Sequence, residues 1–274
     1  MAGRYAAIPG VEAVALAGSL AAGAADERSD LDLYVYAREP LDLEARGAVA
    51  RASAGAGGAG ASRLEVGNDS FEPGDEWLDG PSGRHLDVMF RAPAWIEAEL
   101  DRVLVRCQAR VGYSTCFWWN VLHSEPLFDR SGWYAALRRR AGVPYPEALR
   151  RAVVARNHPL LRHTLSSYLA QIERAVARRD APSVNHRVAA LLASAFDVLF
   201  ALNRLPHPGE KRLLARAEAL CRLRPPRLGE RVAALLAAAA PPSDEVLPRA
   251  AELLDGLDAL LAAEGLLPGG HGRA

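Results

Sequence analysis

The chain is almost without lysine. Of its 33 basic residues, Lys211 is the single lysine and the others are arginine. In that background a lone ammonium marks a position suited to a compact point charge rather than a guanidinium fork. Net charge is lacking too, because 33 acidic residues balance the 33 basic ones. No positive field is present to hold a polyanion, which argues against a long nucleic-acid substrate. Cysteines are few: Cys107, Cys116 and Cys221 are odd in number and widely spaced. They fit neither a disulfide framework nor a metal knuckle, and read as reduced thiols of a cytoplasmic protein. Long apolar runs are missing. The longest, Val232 to Ala240, is about half of the ~20 residues a bilayer span requires. Arg4, Val11 to Leu20 and Ala21 to Ala25 imitate a secretory signal, but Pro9 and Glu12 interrupt it. No membrane role is expected.

What remains is the composition of a soluble globular protein, with 274 residues, half of them apolar, and room for two domains. The first third alternates short β-rich runs with turns. Val11 to Ala17, Leu31 to Tyr36 and His85 to Phe90 are expected strands, with Arg63 to Val66 a weaker one. A helix is expected from Leu41 to Ala52, then a Gly/Ala surface loop from Ala54 to Ala61. Asp69 to Gly83 reads as turn-rich and polar. After Pro93 the apolar period becomes helical, first over Trp95 to Val105, and from about Arg130 onward only helices and their breakers are expected. Between Ser183 and Asn203, Val188, Leu191, Leu192, Ala195, Leu199 and Leu202 form one stripe. Pro225-Pro226 and Pro241-Pro242 bracket a further helix, Leu247 to Ala263 forms the last, and Pro268 to Ala274 reads as a disordered tail. The fold class is therefore α/β followed by all-α: a head of residues 1–125 built on a mixed sheet flanked by helices, then a helical bundle of residues 126–274.

The chemistry lies in the head. Asp30 and Asp32 open the LDLYVY run, and residues two apart on a strand point to one face. Two carboxylates so placed repel each other unless a cation lies between them. Magnesium takes hard oxygen ligands, commonly one or two carboxylates together with substrate phosphates. Asp87 on the His85 to Phe90 run is a third acid, with Glu65 its rival. Three acids from neighbouring strands can hold two metal ions for in-line phosphoryl displacement. Upstream, Gly18-Ser19 follows the first strand and offers backbone N–H groups and a hydroxyl to a triphosphate.

GSLAAGAADERSDLDLYVY followed by HLDVMF resembles the polymerase-β-like nucleotidyltransferase superfamily over roughly residues 11–90. There a Gly-Ser, a spacer of about ten residues, Asp-x-Asp and a distant strand acid recur. The resemblance implies that Gly18 and Ser19 bind the phosphates of an NTP, that Asp30 and Asp32 ligate magnesium, and that Asp87 completes the site or acts as general base. Leu20 stands where relatives often carry a basic residue. FALNRLPHPGEKR, residues 200–212, and HSEPLFDR, residues 123–130, resemble the helical domain and the linker of small-molecule nucleotidyltransferases of the aminoglycoside and lincosamide type, and of an uncharacterised bacterial group akin to them. By that resemblance Lys211 reaches the phosphates of the nucleotide.

The implied activity is magnesium-dependent transfer of a nucleoside monophosphate, from ATP or another NTP, to a small hydroxylated acceptor such as an antibiotic. Nucleotidylation of a protein or RNA, or nucleotide binding without turnover, are the alternatives. The sequence leaves the oligomeric state open. Other polar residues read as structural. Asp197 lies opposite its helix's apolar stripe and is expected on a solvated face. Phe117, Trp118 and Trp119 are expected in core at the domain interface rather than as a stacking platform. The acidic segment Glu72 to Asp79 suits a cationic acceptor but also a plain solvated loop. His85, His123, His158, His163, His186 and His207 show no ligand spacing.

Overall fold

The computed structural model describes residues 1–21, 29–54, 64–70, 72–80 and 82–267, with the side chain of Ser19 outside that description. The middle of the Gly-Ser to Asp-x-Asp spacer, nearly all of the expected Gly/Ala loop and the expected tail lie outside the described residues. The chain divides into two units, Met1–Asp101 with Asn120–Val143, and Arg102–Trp119 with Pro144–Ala274.

The first unit is a six-stranded mixed sheet with flanking helices. Helix α1 (Ala2–Ala6), β1 (Val11–Leu16), α2 (Gly18–Ala21), β2 (Leu31–Ala37), α3 (Leu43–Ala54), β3 (Leu64–Asn68), β4 (Gly74–Leu78) and β5 (His85–Arg91) follow in order, then α4 (Pro93–Leu100), after which the chain passes into the second unit at a π-helical turn, Asp101–Val105, and returns within α5. After α5 (Cys116–His123) come β6 (Glu125–Asp129) and α6 (Trp133–Ala141). The strand order is β3-β4-β5-β2-β1-β6. β2 and β5 are parallel, while β1 runs antiparallel to both β2 and β6. The central strands β1 and β2 are buried along nearly their whole length, which is why they read as apolar runs rather than as a clean alternation.

One face of the sheet carries the core of this unit. Tyr5, Val14, Leu33, Val35, Leu86, Val88 and Trp77 pack there with Val49 and Ala50 of α3. The hairpin of β3 and β4 is pinned to α3 by a buried ion pair: Arg46 Nε donates to Asp75 Oδ2 at 3.0 Å, and the Gly67 amide donates to Asp75 Oδ1 at 2.8 Å. The five strand and helix spans expected up to residue 91 are present, to within two residues at their ends.

Two segments differ. The stretch read as turn-rich contains β4, and the segment resembling a linker contains β6, a strand that lies after Pro93, where the apolar period reads as helical. β6 is an edge strand paired with β1, Pro126 lying opposite Ala15. An edge is where a strand tolerates a residue without an N–H.

The second unit is helical: α7 (Glu147–Arg162), α8 (Tyr168–Ala177), α9 (Ala181–Leu202), α10 (Leu213–Leu220), α11 (Leu228–Ala238) and α12 (Val246–Ala263). Asp180 caps α9, accepting from the Ser183 amide at 3.2 Å, and Pro182 sits in the first turn, where its missing N–H costs nothing. Val188, Leu191, Ala195 and Leu199 of α9 pack against Val154 and Leu161 of α7, Ile172 of α8 and Leu253, Leu257 and Leu261 of α12. Among the described residues, α9 is the one helix long and apolar enough to cross a membrane, and most of it is buried inside this unit.

Asp197 departs from expectation. Residues 194–202 of α9 are all buried, so this part of the helix has no solvated face. The Asp197 carboxylate accepts from the Ser114 amide at 3.0 Å, from Ser114 Oγ at 2.6 Å and from Asn157 Nδ2 at 3.1 Å. Trp118 is buried, its ring 5.2 Å from that of Tyr145, while Phe117 and Trp119 are only partly buried.

Candidate active site

The side of the sheet away from the core gathers the acids. On the parallel pair, Asp32 of β2 lies directly beside Asp87 of β5, so the two carboxylates leave the same face of strands about 4.8 Å apart. Asp30, two residues before Asp32, joins that face. The row continues across the sheet, because Asp87 faces Glu76 of β4 and Glu76 faces Glu65 of β3. Four carboxylates therefore stand in register on four consecutive strands. His85, two residues before Asp87, lies between its neighbours: Nδ1 is 3.9 Å from Asp30 Oδ1, and Nε2 is 3.3 Å from Glu76 Oε2.

Sequence reasoning missed Glu76. The signal was GDEWL itself: Asp75 and Trp77 are buried and Glu76 alternates with them to the other face. Glu65, the rival third acid, is exposed on the far strand, next to Glu76 rather than Asp87.

Gly18 closes the other side. The Ala17 amide donates to the Asp32 carbonyl at 2.8 Å, and the chain then turns at Gly18 with φ +67°. A Cβ on Gly18 would lie 1.7 Å from Asp32 Oδ2. The glycine is required twice, for a left-handed backbone and for the space its missing side chain leaves to the carboxylate. Gly18→Ala is expected to push Asp32 aside, and thermal shift should show loss of any magnesium-dependent stabilisation in that variant. An unchanged magnesium response would mean that Asp32 has no part in cation binding.

Electrostatics follow from the crowding. Burial, then Glu76 and Asp32, raise the Asp87 pKa from 3.8 to about 6, with His85 acting in the opposite sense. The ionised form is thus disfavoured in the folded protein. Its stability contribution is full below about pH 4 and is lost as pH rises through about 6. Asp87→Asn is expected to stabilise the metal-free protein at pH 7.5 by about 1 kcal/mol, after allowing for the half-exposed position. A urea midpoint that falls in this variant would contradict the like-charge account.

The donor set fits a hard divalent cation. It consists of carboxylate oxygens on adjacent strands, whose charge adds to burial in raising the Asp87 pKa. Asp30, Asp32 and Asp87 can hold such an ion. Their ligand oxygens do not all lie within 4.8 Å of one another. Lys211 belongs to the second unit and is exposed in the turn before α10. His158 and His163, read as structural, lie together with Asp258.

No family model matches the chain, and no curated protein matches it. Among solved structures it is similar to the crystal structure of a nucleotidyltransferase-like protein from Exiguobacterium sibiricum 255-15. The identity is 13% and the TM-score 0.43, over 97% of this chain and 73% of that one. At that distance the likeness carries no argument about chemistry, which rests on the residues.

Proposed function

We propose that the acid row on β2 and β5 is the catalytic centre of a nucleotidyltransferase. In this reading it moves a nucleoside monophosphate from an NTP, ATP first among them, to the hydroxyl of a small acceptor. The observation that carries the reading is the register of Asp32 and Asp87 on parallel strands, with Asp30 on the same face and Gly18 packed against the Asp32 carboxylate.

Asp30, Asp32 and Asp87 would hold magnesium, two ions in the full site. Bound magnesium supplies neutralisation of the triphosphate and of the charge that builds on the departing pyrophosphate. The rest falls to the chain. Gly18-Ser19 orients the phosphates beside Asp32. Asp87, whose pKa burial and its acidic neighbours raise to about 6 in the metal-free protein, takes the proton of the acceptor hydroxyl. The hydroxyl oxygen bonds to the α-phosphorus, the bond from that phosphorus to the bridging oxygen breaks, and pyrophosphate leaves with the electron pair. His85 keeps Asp30 and Glu76 apart and oriented. Glu76 and Glu65 extend the negative row and favour an acceptor that carries positive charge, such as an amine-bearing alcohol.

The test is pyrophosphate release from each of the four NTPs with magnesium, over a panel of hydroxylated small molecules. Release that depends on an acceptor supports the reading and names the substrate class. ATP binding without release on any small acceptor shifts the acceptor to a protein or RNA, or leaves a binding function alone. Failure to bind any nucleotide ends the proposal.

A further inference from the structure

A second cluster lies in the helical unit, where the last turn of α7 meets α12. His158 is buried, and its Nε2 lies 2.6 Å from Asp258 Oδ1. His163, the residue that follows α7, is about half exposed and places Nε2 3.8 Å from Asp258 Oδ2. The two imidazole rings lie 4.7 Å apart at 36°, and one ligand atom from each of the three residues lies within 4.8 Å of the others. We propose that His158, His163 and Asp258 form a zinc-binding site that clamps the end of α7 to α12.

Three observations favour a site over a simple ion-pair network. First, the network does not need His163. Asp258 already accepts from His158 and from Arg162, whose Nε lies 3.1 Å from Oδ2 and whose Nη1 also reaches Asp255 at 2.6 Å. His163 stands beside that satisfied carboxylate beyond hydrogen-bond distance, with its ring turned toward His158. Second, two imidazole nitrogens and one carboxylate oxygen are the donors zinc takes when three protein ligands leave a fourth position to water. The half-exposed His163 gives that fourth position access to solvent. Third, the site lies at a helix C-terminus, where the carbonyls of the last turn favour a cation.

The geometry is within reach. Zinc bonds of about 2.0–2.1 Å set tetrahedral ligands about 3.3 Å apart. The His158–Asp258 pair needs to open slightly and His163 to close, which rotation of its exposed ring provides. Arg162 stays on Asp258 Oδ2 and orients the carboxylate, as outer-shell partners of metal-bound carboxylates do.

The experiment uses chelator-stripped, full-length protein titrated with zinc by calorimetry, and with cobalt followed by visible absorption. One equivalent is expected to bind, with a rise in melting temperature and the strong cobalt absorption of a four-coordinate site. His163→Ala should keep the metal-free melting temperature and lose affinity by more than the roughly 10–100-fold that outer-shell changes bring. The Asp32→Asn/Asp87→Asn double variant should bind as before, which separates this site from the acid row of the first unit. The proposal is overturned by absence of saturable zinc binding, by binding that survives His163→Ala or disappears in the double variant, or by the weak spectrum of six-coordinate cobalt.

Discussion

Asp32→Asn is expected to lower the rate of acceptor-dependent pyrophosphate release by about a thousandfold or more, with little change in melting temperature. Metal-assisted charge neutralisation supplies several kcal/mol to transfer of this type, and each 1.36 kcal/mol is about tenfold in rate. Asp32 stands at the centre of the proposed site. It is buried, lies next to Asp87 in the sheet, and has Gly18 hollowed out against its carboxylate. Asparagine keeps the shape and removes the charge. In the metal-free protein it also relieves repulsion on Asp87, so there the Asp87 pKa should fall from about 6 toward the usual carboxylate range. Two readouts therefore move together: turnover with magnesium collapses, and the titration of Asp87 in the metal-free protein shifts down. Turnover within tenfold of the unsubstituted protein would show that the reaction centre lies elsewhere. A lost rate with an unmoved metal-free Asp87 titration would keep Asp32 as a cation ligand but end the account of its charge acting on Asp87.

The parts of this site that the sequence disclosed are those where chemistry and pattern agree. Asp30, Asp32 and Asp87 sit at the starts of apolar runs, and a carboxylate in such a run has few reasons to be there. The strand β4 hid because its buried positions include Asp75, whose partner Arg46 lies 29 residues earlier. An acid paired in the interior looks, in one dimension, like an acid in a turn. With β4 unseen, Glu76 could not be placed. β6 hid behind Pro126, which marks breaks everywhere except on the edge strand where it lies. His158 and His163 are five residues apart, a spacing that repeats on no helix face, and α7 ends between them. Their common partner Asp258 is 100 residues beyond His158. Contacts of that range depend on how α7 and α12 pack, and no local pattern encodes them.

Asp197 shows the same limit and leads to the second large effect, on stability. Its carboxylate accepts three hydrogen bonds, two from Ser114 and one from Asn157. Asn157 in turn accepts from the Gly112 amide at 2.8 Å and donates to the Arg110 carbonyl at 2.9 Å. Asp197 and Asn157 thus fasten residues 110–114, which form no regular element, to α9 and α7. Asp197→Ala leaves buried donors without an acceptor, each costing about 1–3 kcal/mol, so a total loss of about 3–5 kcal/mol is expected from the urea midpoint. A loss below about 1 kcal/mol would mean that the loop is held by other contacts. The pH dependence has a definite sign. Burial outweighs the hydrogen bonds from Ser114 and raises the Asp197 pKa to about 7. The folded state therefore binds a proton that the unfolded chain releases near pH 4. Stability from this group is full below about pH 4 and declines as pH rises through about 7. Asp197→Asn, neutral at every pH, should remove that decline, so the stability difference between it and the unsubstituted protein should grow in favour of the variant from pH 4 to pH 7. Asp87 titrates in part of the same window, but it is common to both proteins and cancels in the difference. A difference that stays flat across the window would show that Asp197 is ionised throughout, held by its three donors in spite of burial.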